Sequence, residues 1–180
     1  MPTVTDAWAA LLRHVLASLR LSGCRRITAA CPTAWGARPL AALHAAAGRC
    51  GAAIEFDTLA ARAATADPTT GYEQRVLVLE VGSTSTTATL VARTPGTARI
   101  ERCAYEPSGG AAELFEPTAA DRLAALLERA VDDCPPTRTV VLGTREAFPS
   151  RTLRALLTTG RRPPDIRWLE AARLSRDPGV

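Results

Sequence analysis

Apolar and polar positions divide the chain into two halves with different periods. In residues 5–21, Trp8, Leu11, Leu12, Val15, Leu16 and Leu19 recur at spacings of three and four, which predicts an amphipathic helix. Thr5 is the expected N-cap and Gly23 the expected stop. Residues 25–31 predict a short strand ending at Pro32, and ARPLAALHAAAGRCG predicts a second helix with Pro39 near its start and Gly51 just past its end. AAIEF predicts another strand, and a third helix follows from Asp57 or Thr58 to about Thr65. ADPTTGYEQ, broken by Pro68 and Gly71, reads as a linker. Beyond it the period changes to two. Residues 75–80, 86–93 and 98–105 predict three strands of an antiparallel meander. A loop, EPSGGAAELFEP, leads to a helix over 118–132 with Leu123, Leu126, Leu127 and Ala130 on one face. The short apolar run TVVLG predicts a strand buried in a parallel sheet. A helix opening at Pro149 and carrying Leu153, Leu156 and Leu157, a strand at IRWL and a last helical turn at EAARLS complete the pattern. The order is α-β-α-β-α, then β-β-β-α-β-α-β-α.

Composition narrows the chemistry. The chain has 180 residues, room for one ordinary domain or two small ones, and 47% are apolar. Much of that share is alanine and only 4% is aromatic, so closely packed helices and thin cores are expected. All 22 basic residues are arginine. The net charge of +4 is concentrated at the C-terminus, where residues 137–180 carry nine arginines against four acids. Such a segment can meet nucleic acid or an acidic partner, but it lacks interleaved aromatics, and a solvated helix face is the plainer reading. Five cysteines (Cys24, Cys31, Cys50, Cys103, Cys134) form no C-x-x-C pair. This argues against a disulfide framework or a zinc site, favours small buried hydrophobes, and fits a reduced, cytoplasmic setting. No run of 18 apolar residues is present, so no membrane span is expected. His14 and His44 lack a third partner, and no G-x-S-x-G elbow appears, so neither a metal site nor a hydrolase triad is predicted. Trp8, Trp35 and Trp168 are expected in cores.

Four stretches, in order, resemble the nucleotide-binding domain of actin-like ATPases, and of seventy-kilodalton heat-shock chaperones in particular. They are ITAACPTAWGARPLAALHAAAGRCG, IEFDTLAARAA, LEVGSTSTTATL and TVVLGTREAFPSRTLRALL. The third is similar to the family's second phosphate loop and the fourth to its adenosine segment. The Arg-Ala-Thr style is also similar to that of type VII secretion-associated proteins of actinobacteria. The resemblance implies a ribonuclease H-like α/β fold. It would have a partial first lobe over 1–67 without the first phosphate-loop hairpin, and a near-complete second lobe over 74–180.

In that family, hairpin turns cradle phosphates with backbone N–H groups while carboxylates arrange magnesium. Carried over, the family's carboxylate falls on Glu80, which would also be the metal residue. The loop falls on Gly82, Ser83, Thr84 and Ser85, and the adenosine segment on Gly143, Thr144 and Arg145. The family's three glycines have become Gly82, Ser83 and Thr84, and the arginine expected against adenine falls on Ala147. A side chain at such a turn blocks close approach of backbone to phosphate. The expected function is therefore a degenerate, non-catalytic protein-interaction module, with no cofactor. The alternatives are a weak binder of ATP with magnesium between the lobes, and nucleic-acid binding by the Arg-rich C-terminus. The partner would be another protein, or a second copy joined through an open sheet edge of the first lobe.

Overall fold

The structure is a computed structural model that describes residues 3–21, 23–66, 74–131, 133, 135–143, 148–149, 152, 165–170 and 174. It is mixed α/β and divides into two compact units. The predicted helix from Pro149, the last helical turn, most of the 66–74 linker, and Cys134 lie outside the described residues.

The first unit comprises residues 1–31 and 35–57. Its elements are α1 (Val4–Ser18), β1 (Arg26–Cys31), α2 (Ala37–Arg49) and β2 (Ala53–Thr58), with β1 and β2 forming a two-stranded sheet. The N-cap of α1 is Thr3 rather than Thr5. Its hydroxyl accepts from the Asp6 N–H at 3.2 Å, and Asp6 Oδ2 accepts from the Thr3 N–H at 2.7 Å, a reciprocal capping box. Asp6 Oδ1 also accepts from Arg49 in the last turn of α2. The Thr3 bonds, with the Arg49 guanidinium beside them, hold the Asp6 carboxyl down at about 2.

α1 also stops earlier than Gly23. Leu19 is the C-cap and Arg20 takes the left-handed conformation (φ +56°). The Arg20 N–H donates to the Ala17 carbonyl at 3.0 Å and the Leu21 N–H to the Leu16 carbonyl at 2.8 Å, so the chain closes a Schellman turn with arginine where glycine is usual. α2 closes the same way at Gly51 (φ +73°), as the sequence predicted.

The core of this unit gathers Cys31, Leu43, Ala47 and Ile54, with Trp8 set edge-to-face on Trp35 at 5.9 Å between ring centroids. Only part of the predicted apolar face of α1 takes part. Ala9 is buried and Trp8, Leu12 and Leu16 are half-buried, whereas Leu11, Val15 and Leu19 are exposed.

The second unit comprises residues 32–34 and everything from Thr58 onward. Its described elements are α3 (Leu59–Thr65), β3 (Gln74–Val81), β4 (Thr86–Thr94), β5 (Thr97–Glu106), a 3-10 turn (Glu113–Phe115), α4 (Ala119–Val131), β6 (Arg138–Leu142) and β7 (Asp165–Leu169). The five strands form one mixed sheet in the order β5-β4-β3-β6-β7. β3, β4 and β5 are the antiparallel meander, while β6 runs parallel to β3 and β7 parallel to β6.

Period two sets the two faces of the sheet. Leu77, Leu79, Ala88, Ala104 and Val141 point to one side, where Leu123, Leu126, Leu127 and Ala130 of α4 cover them, the helix face that the sequence predicted. Phe148 meets Trp168 edge-to-face at 4.9 Å beside this layer. Val76, Val78, Val91 and Val140 point to the other side, under Ala60, Ala63 and Ala64 of α3.

The partial first lobe was expected to run to residue 67 and so to include α3. The structure groups this helix with the large sheet instead. The reason lies in its three alanines. At spacings of three and one they form a stripe of methyl groups with 0% exposure, narrow enough for the helix to lie close on a valine surface.

At the β5 edge, a bulge interrupts the β4–β5 register between Leu90 and Val91. Glu101 on this strand holds Arg75 and Arg99, each at 3.0 Å. The cysteines were read as mostly buried, but among the described ones only Cys31 is buried; Cys24 and Cys50 are half-buried and Cys103 is exposed, and all four are free thiols. No helix among the described residues is long and apolar enough to cross a membrane.

Candidate functional site

β3 and β6 run parallel and end together, Glu80 pairing with Leu142. The carboxyl ends of these strands therefore bring Glu80, the turn at 82–85 and Gly143 to one end of the sheet. Ligands commonly bind at such an end in open α/β sheets. Thr144 and Arg145, with Ala147, lie outside the described residues.

Glu80 continues the even-numbered set of β3, after Val76 and Val78, and so points to the α3 side where an apolar residue would be expected. It is 8% exposed. Its cross-strand partner is Thr87, and Thr89 stands opposite Val78; both threonines are buried. Thr33 reaches the same place from the short 32–34 segment. Its N–H donates to Glu80 Oε2 at 3.1 Å, and its hydroxyl accepts from the Ala60 N–H at 3.2 Å. Thr58, the N-cap of α3, takes the Ala61 N–H at 3.2 Å. One threonine thus couples the Glu80 carboxylate to the first turn of α3. Glu80 Oε1 is buried and has no hydrogen-bond partner. Burial pushes the Glu80 carboxyl up from its ordinary range, against the opposing pull of the Thr33 bonds.

Burial therefore disfavours the charged form of this carboxyl. Among the described residues no three His, Cys, Asp or Glu side chains gather where a metal ion could sit.

The turn is occupied by its own chain. The Gly82 N–H donates to the Ser85 carbonyl at 2.8 Å, and the Gly82 carbonyl accepts from the Ala111 N–H at 2.9 Å. The Thr86 hydroxyl donates to the Gly109 carbonyl. Between these bonds Gly110 lies directly on the Ser83–Thr84 peptide. A Cβ at Gly110 would come within 2.3 Å of the Ser83 carbonyl oxygen and 2.4 Å of Thr84 Cα. At Gly82–Ser85, where the resemblance would place phosphate, the close backbone approach is made by the 109–111 loop. Ser83 and Thr84 are exposed on their other side.

Gly143 is committed as well. It leaves β6 at φ +150°, a conformation that favours glycine, and its N–H donates to the Leu169 carbonyl at 2.9 Å.

Four contributors escaped the sequence reading. Gly110 stood in a stretch read only as loop, Thr33 is 47 positions from its partner, and Thr87 and Thr89 were read only as part of a strand. The signal for the last two was present, since alternation through TTATL puts Thr87 and Thr89 on one face.

The raised carboxyl sets a pH dependence. Folded Glu80 binds its proton more tightly than the unfolded chain does, so its contribution to stability is full below the unfolded carboxylate pKa of about 4.3 and declines as pH rises toward the folded value. Glu80→Gln removes the charge and leaves an oxygen for the Thr33 N–H. We expect the variant to be more stable than wild type by about 1–2 kcal/mol at pH 7, with the gap closing toward pH 4. Urea unfolding at the two pH values measures it; a variant less stable at pH 7 would mean that the charge is held by something stronger than Thr33.

Compared with known proteins, the chain matches no family model and no curated sequence.

Proposed function

We propose that this chain is a degenerate nucleotide-domain protein of the actin-like ATPase and seventy-kilodalton heat-shock chaperone kind, acting as a non-catalytic protein-interaction module. A meander on one side of β3 and two parallel strands on the other supports the ribonuclease H-like reading of the second unit. The observation that carries the functional reading is the seating of Gly110 on the Ser83–Thr84 peptide. A phosphate approaching that face would have to displace the 109–111 loop, with its bonds to Gly82 and Thr86.

The residues fit ATP with magnesium poorly. Among the described residues Glu80 is the one buried carboxylate, and burial opposes its ionisation, while the N–H of Gly82 is spent on Ser85. Catalysis of phosphoryl transfer rests on positioning and electrostatics, and neither survives without the phosphate grip.

Calorimetric titration with ATP and magnesium tests the reading, with Glu80→Ala beside wild type. No heat up to about millimolar nucleotide, a free energy no better than about −4 kcal/mol, is the expected result. Micromolar binding lost in Glu80→Ala would replace the module with the weak ATP binder. The unpartnered Oε1 is the one feature that favours that second reading.

A further inference from the structure

A small cavity in the second unit lies beside the 109–111 loop, where the start of β4, the 3-10 turn and α4 meet. Its volume is about 10 Å³, and Thr86, Gly109, Glu113, Arg122, Leu123 and Leu126 are among the residues that line it. Two of these side chains carry a buried atom without a hydrogen-bond partner. One is Glu113 Oε2, an acceptor, and the other is Arg122 Nε, a donor. The guanidinium cannot swing away to satisfy Nε elsewhere without loss, because its Nη2 donates to Glu116 Oε2 at 2.7 Å. The Thr86 hydroxyl gives its proton to the Gly109 carbonyl and keeps lone pairs that can accept.

We propose that this cavity binds one water molecule as a fixed part of the fold, and that the water ties the 109–111 loop to α4. Space sets the size of the ligand. A single water takes on the order of 10–15 Å³ of such volume, so nothing larger fits. Charge sets its kind. An anion would meet Glu113 and a cation would meet Arg122, whereas a neutral molecule that both donates and accepts suits both. The water donates to Glu113 Oε2, accepts from the Arg122 Nε–H, and gives its second proton to Thr86 Oγ. Three bonds are the usual number for a buried water. The driving force is the cost of leaving a buried donor and a buried acceptor unpaired. Gly109 shares the wall and is bonded to Thr86. The loop that seats Gly110 on the Ser83–Thr84 peptide is thereby held from a second side. The proposal rests on this cavity alone and is independent of whether nucleotide binds at the 82–85 turn.

Nuclear magnetic resonance of the isotope-labelled 180-residue chain tests this directly. Cross-relaxation between water and the Arg122 Nε–H reports a held water, and its opposite signs in the laboratory and rotating frames separate it from proton exchange. Wild type should show this contact. Glu113→Gln keeps an oxygen acceptor and should retain it. Glu113→Leu is close in size, has no acceptor and should lose it. Glu113 is half-buried in a single 3-10 turn, so both variants should keep the wild-type circular dichroism. The Ala111 N–H, which donates to the Gly82 carbonyl, is the second readout. Its hydrogen exchange should be roughly 10-fold faster in Glu113→Leu and unchanged in Glu113→Gln. A wild-type Nε–H with no water contact would overturn the proposal, and would do so even if Glu113→Leu did not fold. A contact that survives Glu113→Leu, or an Ala111 amide indifferent to that change, would overturn it as well.

Discussion

Gly110→Ala is expected to destabilise the second unit by about 3 kcal/mol or more, the upper end for overpacking. The added Cβ would lie 2.3 Å from the Ser83 carbonyl oxygen and 2.4 Å from Thr84 Cα. Both are backbone atoms, so no side-chain rotation relieves the clash. Either the turn or the loop must move, and with it the hydrogen bond from the Ala111 N–H to the Gly82 carbonyl and the one from Thr86 to Gly109. Gly82→Ala is the internal control. Its Cβ would meet the Ser85 carbonyl at 3.2 Å, a contact that a few tenths of an ångström relieve, and the cost should stay below about 1 kcal/mol. Urea denaturation of both variants decides. Were Gly82 the sensitive one and Gly110 the tolerant one, the turn would be shaped for a ligand rather than for the loop.

The second large effect is at the neighbour of Glu80. Leu79→Ala should cost about 3–4 kcal/mol and lower the melting temperature by roughly 10 °C. Leu79 has 0% exposure on the central strand and sits in the layer under Leu123, Leu126 and Leu127 of α4. A sheet paired on both sides of β3 cannot close the resulting cavity by shifting one strand. The adjacent positions thus predict opposite signs. Shortening Leu79 removes packing on the α4 face, whereas neutralising Glu80 on the α3 face removes a charge that packing does not favour. A loss under about 1 kcal/mol at Leu79 would mean that α4 is free to settle onto the sheet.

These contrasts show how far the pattern of residues reached. Strict alternation through VLVLEV located β3, the continuous run TVVL located the parallel strand β6, and Leu123, Leu126 and Leu127 oriented α4, because in each case one periodic face meets one large partner. The same logic failed for α1. Periodicity reveals that a helix has an apolar face but not how much of it its own unit will cover, so Leu11 and Val15 read as core and emerged exposed. α3 was assigned by its position in the chain, while its membership is decided by three alanine methyls against valines up to 80 positions away. The site was legible only as a location. Glu80, Gly82 and Gly143 do meet at one end of the sheet, yet what fills the turn is a glycine 26 residues downstream, in a loop whose Gly-Gly pair signals conformational freedom and not contact. Nothing local to Glu80 announces Thr33.

The bulged edge at β5 has one further consequence. A neighbouring chain seeking to add a sixth strand there would meet an outer strand bulged at Glu101 and bearing Arg99, Glu101 and Arg102, with Glu101 already gripping two guanidinium groups. Charge and twist at an edge are the ordinary defences against runaway sheet growth. On that edge, bulge and charge oppose the addition of a further strand.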